Sequence, residues 1–401
     1  MDADIVVIGA GALGLSTALH CALAGRTVVV LERGLAGGEA SSRAAGLFKS
    51  VQADPLRTRL ARRSITRAAS FADWAGVPLE VARSGSLLIA RTSAHAEFLR
   101  TELCQSAAWG ADARQASPAE VTERVSFYRP SGGEFALWCP EDIYVDEPAC
   151  LVRAYLDACR KHGAEVLEHT EVTAVTLTGG AVTGIRTAGR SVSAPVVVDA
   201  AGAWTAQVAA LAGGRVAVTP VRHQLLITAP GQVSPADPIV RVVDAAVYLR
   251  PARGGLMVGG FESGPMALGV APPASTSEMP LDRAVLDGFA AAIAGQVPAA
   301  QPVAGHEAVP EHRGGMFTMS PDGRFVLGPV PDVPGLWVAS GCNGSGFSSS
   351  PALGEALAQW ITGRPGEVAA FSPARFGPVT AGELVSRGVW QYEHYYDPAA
   401  G

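Results

Sequence analysis

Ile5-Val6-Val7-Ile8-Gly9-Ala10-Gly11-Ala12-Leu13-Gly14, continued through Leu15–Ala24 and Gly25 to Thr27-Val28-Val29-Val30-Leu31-Glu32-Arg33, is the stretch whose reading decides the fold. Four β-branched residues in a row read as a strand buried on both faces. The glycine run follows at once, and the small apolar residues from Leu15 to Ala24 read as a helix that Gly25 closes. A second apolar run then delivers Glu32 to its end. Strand, GxGxxG turn, helix, strand and acid fall in order within about 30 residues, the length of one βαβ unit.

Each glycine of that turn has a mechanical task. Gly9 permits the tight turn, Gly11 lets backbone approach a pyrophosphate, and Gly14 lets the helix pack closely on the sheet. The helix start offers free N–H groups and a partial positive charge to phosphates. Glu32 can accept hydrogen bonds from both hydroxyls of an adenosine ribose and repels a 2′-phosphate. The spacing therefore predicts FAD or NAD rather than NADP.

The chain has 401 residues, enough for two or three domains. At 48% hydrophobic and 17% charged it has the composition of a compact α/β enzyme, not of a disordered or repeat protein. A net charge of -6 argues against nucleic acid as a bulk partner. Arg57, Arg59, Arg62, Arg63 and Arg67 share one expected helix, either as a solvated face or as a dock for an anionic partner. The six cysteines show no CxxC spacing, so they read as buried thiols in a reducing compartment, with no metal site. Asp2 and Asp4 stand where a signal peptide would be basic, and the glycines and His20 interrupt any membrane-length run. The expectation is a soluble, cytoplasmic protein without a membrane span, with oligomers possible.

Beyond Arg33, the Gly-, Ala- and Ser-rich segment Gly34–Ser50 centres on Ser41-Ser42-Arg43-Ala44-Ala45-Gly46. Its small residues let backbone come close to a flat ligand, and Arg43 or the serines can reach phosphate oxygens. Helices are expected over 55–74, 93–119 and 147–162, the last with Asp146 as its N-cap, and a small meander over 164–194. Pro195–Asp199 is a second buried strand, and it ends in the turn Ala200-Ala201-Gly202-Ala203-Trp204 at the sheet edge where ligands sit. A mixed sheet is expected between Val218 and Pro310. Its hairpin, Ala246–Pro251 with Leu256–Glu262, puts Tyr248 and Glu262 on a pocket wall. Met319–Pro329 and strand Leu336–Ser340 lead to Gly341-Cys342-Asn343-Gly344-Ser345-Gly346-Phe347 and a helix over Pro351–Ile361. This second glycine loop and helix start offer positive charge to the far end of a long ligand. The aromatic tail, with Trp390, Tyr392, His394, Tyr395 and Tyr396, can pack on the body or on another subunit.

The ordered set of these stretches resembles the FAD-dependent amine and amino-acid oxidoreductase family that includes D-amino-acid oxidase, glycine oxidase, monomeric sarcosine oxidase and the dimethylglycine dehydrogenase group. The resemblance covers nearly the whole chain. It implies an α/β fold, α+β overall: a Rossmann-like FAD-binding domain from residues 1–84, 145–217 and 310–375, a mixed-sheet substrate domain from 85–144 and 218–309, and a tail from 376–401. It also implies FAD contacts from Gly9, Gly11, Ala12, Leu13, Gly14, Glu32, Arg33, Ser41, Ser42, Arg43, Ala45 and Gly46. Further contacts follow from Val172, Ala201, Gly202, Trp204, Arg313, Gly344, Ser345, Gly346, Phe347 and Ser348.

By the same resemblance the protein oxidises the C–N bond of an amino acid or amine. Hydride leaves for flavin N5, the imine hydrolyses, and oxygen or another acceptor takes the electrons. Tyr248 matches a substrate-contacting tyrosine, and Arg313 an arginine that pairs with a substrate carboxylate; Lys49 and Arg222 are reserves for that role. Arg43 stands where the dimethylglycine dehydrogenase group carries its flavin-linked histidine, and no cysteine lies near Gly315, so the FAD is expected to be non-covalent. Met257 stands where sarcosine oxidase places an oxygen-activating lysine, and Ser348 near its carboxylate-binding lysine. Two alternatives remain open: C–O oxidation of a hydroxy acid or polyol phosphate, and an FAD-bearing electron-transfer or binding subunit.

Overall fold

The computed structural model describes residues 2–231, 233–269, 271–300, 311–364 and 366–397. A six-stranded sheet runs in the order Val326–Pro329, Leu336–Ser340, Val196–Asp199, Ile5–Ile8, Val28–Leu31, Glu165–Leu167. Every pair is parallel except the first. Alternation along the strands divides its core. Val7, Val30 and Val198 pack with Leu15, Leu151 and Leu353 from the helices Ala12–Leu23, Pro148–Lys161 and Gly346–Ile361. Val6, Val29 and Val197 face Val175, Ile185 and Val192 of the three-stranded meander.

The second sheet has eight strands, in the order Glu311–Met319, Thr219–Ile227, Gly255–Gly260, Val247–Ala252, Ile239–Val242, Ser86–Ala90, Phe135–Cys139, Arg114–Ala116. It is mixed, because Ile239–Val242 runs parallel to Ser86–Ala90 while its other neighbours are antiparallel. Glu311–Met319, which the resemblance groups with the cofactor segments, is hydrogen-bonded along its length to Thr219–Ile227 in this sheet. The expected division at 309/310 lies outside the described residues. Among the described residues no helix is long and apolar enough to cross a membrane.

Four local readings differ from the structure. The expected helix 93–119 stops at Ala108, where Gly110 adopts φ 74 and breaks the run; strand Arg114–Ala116 and helix Pro118–Arg124 follow. The expected helix 55–74 is two, Pro55–Ala69 and Phe71–Ala75, joined at Ser70. Asp146 does not cap Pro148–Lys161, because its carboxylate is taken by the buried Arg250 at 2.8 Å. The late helix begins at Gly346, five residues before Pro351. A proline there leaves the Phe347 carbonyl without its usual backbone donor, and the Ser350 hydroxyl supplies one at 2.8 Å.

Candidate functional site

The carboxyl ends of the parallel strands open onto a trough. One lobe is lined by Gly9, Gly11, Glu32, Arg33, Ser41, Val172, Ala201, Gly202 and Trp204. The other is lined by Ala12, Leu13, Arg43, Ala45, Gly46, Lys49, Tyr248, Arg313 and Gly344–Ser348, and the lobes share Gly11, Ala40, Ser41, Ala200, Gly202 and Met316. Of the residues expected to contact FAD, Gly14 and Ser42 line neither lobe. Gly14 serves packing instead, since a Cβ there would come within 2.1 Å of the Gly9 carbonyl oxygen.

In the first lobe Glu32 accepts hydrogen bonds from Ala10 N (2.9 Å) and Gly34 N (2.8 Å), which fixes its carboxylate at the wall. Each oxygen keeps a further lone pair for a ribose hydroxyl. The Arg33 guanidinium lies 3.8 Å over the Trp204 ring, whose indole N–H is held by Pro273 O at 3.0 Å. At the junction of the lobes Gly11 faces open space apart from Ser41 Oγ, which accepts from Ala12 N at 3.0 Å. Arg43 Nε is buried there without a partner. The late loop is locked by Asn343 at φ 46: its side chain accepts from Ser320 N (2.9 Å) and donates to Gly341 O (2.6 Å).

The second lobe is walled by one cross-strand row of the eight-stranded sheet. Arg313 pairs with Leu225, Leu225 with Gly259, Gly259 with Tyr248, and Tyr248 with Arg241. Directly opposed residues share a face, and four strand spacings separate the two arginine backbones by about 19 Å. Gly259 is required at mid-row, because a Cβ would sit 2.3 Å from the Tyr248 hydroxyl. That hydroxyl is 2.9 Å from His223 Nε2, and His223 Nδ1 is 2.8 Å from the hydroxyl of Tyr392, on the tail helix Ala381–Glu393. Burial holds His223 neutral, its pKa pulled down to about 3. Phe261, Phe317, Tyr395 and Tyr396 complete the wall.

The cations differ in how far they are satisfied. Arg313 gives Nε to Glu311 and Nη2 to Glu147 (3.5 Å), and Nη1 is buried without a partner. The Arg313 hydrogen bond holds the Glu311 carboxyl below its ordinary range. Lys49 meets Glu102 at 2.6 Å. Arg222 and Glu262, expected as a reserve and a pocket wall, instead form a buried pair with each other at 2.8 Å and line neither lobe.

His223, Arg241 and the tail tyrosines escaped the sequence reading as site residues. Arg241 did leave a signal: it is a lone charge inside the apolar strand Ile239-Val240-Arg241-Val242.

Residues 4–360 match the family described as DAO, FAD dependent oxidoreductase. The chain belongs to that family. The DAO family takes FAD, and the residues present fit it: an open glycine cradle at the helix start, an acid at the next strand end, and an arginine with a buried N–H unmet. The chain is 28% identical to 4-methylaminobutanoate oxidase (formaldehyde-forming) of Paenarthrobacter nicotinovorans across 90% of its own length, and spans 44% of that relative. It is also 28% identical to glycine oxidase of Pseudomonas aeruginosa, covering 96% of this chain and all of that one. L-proline dehydrogenase from P. horikoshii shares the fold at a TM-score of 0.84 and 23% identity, over 94% of this chain and 98% of that chain.

Proposed function

We propose that this chain oxidises a C–N bond of an amino acid or of a primary or secondary amine, with FAD held non-covalently and oxygen or another acceptor taking the electrons. The observation that carries the reading is the buried Tyr248 hydroxyl, pinned by His223 in the same cavity as the late glycine loop. When bound, FAD supplies the hydride acceptor for the carbon that bears nitrogen, and water then hydrolyses the imine.

The chain's own residues supply the rest. Gly11, Ser41 and the start of helix Ala12–Leu23 offer donors to a pyrophosphate, and Glu32 accepts from the ribose. The start of helix Gly346–Ile361 presents free N–H groups to negative charge developing on the ring. Arg43 lines the second lobe with its Nε unpartnered and disfavours a further positive charge, so the amine enters neutral and needs no strong base. Tyr248 orients it, and Phe261, Phe317 and Tyr396 keep water away.

Anaerobic mixing with a panel of amines and amino acids tests the reading. Bleaching of the flavin supports it; no bleaching by any amine, or bleaching by alcohols alone, rejects it. Admitting air afterwards separates oxygen from another acceptor.

A further inference from the structure

Residues 272–278 follow strand Gly255–Gly260 of the eight-stranded sheet, yet they lie against the first lobe, at the carboxyl edge of the six-stranded one. Three side chains that line this lobe hold them there. The Arg33 guanidinium donates to Ala274 O, the Trp204 indole N–H donates to Pro273 O at 3.0 Å, and the Glu39 carboxylate accepts from Thr276 N at 2.8 Å. These tethers come from separate places: Arg33 just after strand Val28–Leu31, Glu39 just before Ser41, and Trp204 just after strand Val196–Asp199. The segment is also braced within itself, since Ser275 Oγ accepts from Ser277 N (3.2 Å) and Glu278 from Ala274 N (3.2 Å). Beyond it, buried Met279 packs with Ala203 and Met316.

Thr276 is the residue that points to a ligand. It is 3% exposed and lines the first lobe, and its Oγ1 is buried with no hydrogen-bond partner among the described residues. Buried hydroxyls are ordinarily paired, and one left unmade is costly. The backbone N–H of Thr276 is already fixed on Glu39, so the missing partner of the side chain has to enter by the lobe. A threonine hydroxyl both donates and accepts, which suits a ribose hydroxyl or a phosphate oxygen equally.

We propose that residues 272–278 form a strap, lent by the eight-stranded sheet, that closes over the adenosine-diphosphate half of FAD, with Thr276 Oγ1 as a direct hydrogen-bond partner of that half. FAD then leaves only when the tethers to Arg33, Glu39 and Trp204 give way. Retention of the cofactor thus depends on a segment outside the dinucleotide-binding βαβ unit. The strap is independent of which bond the enzyme oxidises, because it rests on the cofactor of the family alone.

The test follows FAD release from the loaded protein, read as the rise of flavin fluorescence on dilution. Thr276→Val keeps the shape and removes the hydroxyl, and should speed release about fivefold, the worth of one hydrogen bond. Thr276→Ser restores the hydroxyl and should stay within twofold of the parent protein. A second measurement needs no variant: hydrogen exchange of the amides of residues 274–279, in protein stripped of FAD and then offered ADP or FMN. ADP should slow this exchange at least fivefold, and FMN, which lacks the adenosine half, should leave it unchanged. Release unchanged in Thr276→Val, or exchange that ADP does not slow, overturns the proposal, as does equal slowing by FMN. Should Thr276→Val fail to fold, exchange in the parent protein decides alone: slowing by ADP and not by FMN supports the strap, and any other pattern rejects it.

Discussion

Tyr392 reaches His223 from the tail: its hydroxyl lies 2.8 Å from Nδ1, while Nε2 lies 2.9 Å from Tyr248. Tyr392 Oη also accepts from Glu262 N at 3.5 Å, so its own proton is free to go to Nδ1. The network then assigns the remaining ring proton to Nε2, which donates to Tyr248 and leaves the Tyr248 proton for the cavity. Tyr392→Phe should retain FAD and slow anaerobic flavin reduction about tenfold, the worth of roughly one hydrogen bond. Stopped-flow absorbance checks this, and the substrate Kd should move less than the rate. A rate equal to that of the parent protein would mean that Tyr392 does not set the tautomer.

Glu32 holds two backbone N–H groups and faces the first lobe. Replacing it with alanine removes acceptors from a ribose and frees the glycine turn. FAD affinity should drop by about 10- to 100-fold, the range for a hydrogen bond to a charged group. Fluorescence titration of apoprotein with FAD measures it.

Asn343 combines a left-handed backbone with two buried hydrogen bonds. Asn343→Ala should cost about 3 kcal/mol by urea denaturation of the FAD-loaded protein, because it leaves Ser320 N and Gly341 O unmet in a conformation alanine resists. Asn343→Gly relieves the backbone but not the lost bonds, and should recover only part of that.

Two histidines make the fold acid-sensitive. Burial lowers the pKa of His20, stacked on Trp74 at 4.9 Å, to about 4, and that of His223 to about 3. In the unfolded chain each titrates near 6.5. Both folded values are depressed, so their stabilising effect is complete above about pH 6.5 and is lost as pH falls towards 4 and 3. At pH 4.5 the loss from His20 is about 3 kcal/mol. Urea midpoints at pH 7 and 4.5 should therefore converge in His20→Leu relative to the parent protein; an identical acid shift in both would reject this role for His20.

The first βαβ unit was legible because local chemistry alone requires it: an uninterrupted strand, a turn only glycine can make, and an acid at a fixed distance. The second glycine loop was legible for the same reason, although its helix start was hidden by Pro351, whose missing donor is replaced by a serine side chain one residue earlier. The cavity wall is a different matter. Arg313, Leu225, Gly259, Tyr248 and Arg241 come from five strands, and their adjacency depends on pairings set by the whole sheet. His223 gains its role only through Tyr392, 169 residues away. Arg222 and Glu262 looked like pocket residues for want of knowing that they neutralise each other.

The pleat has a final consequence for anyone reshaping this enzyme. Because neighbouring side chains on a strand point to opposite faces, deleting one residue before Arg313 in Glu311–Met319 would swing that arginine out of the cavity and carry its neighbours through the sheet with it. Removing two would restore the original parity. Loop grafts around this wall should therefore conserve odd and even before they conserve length.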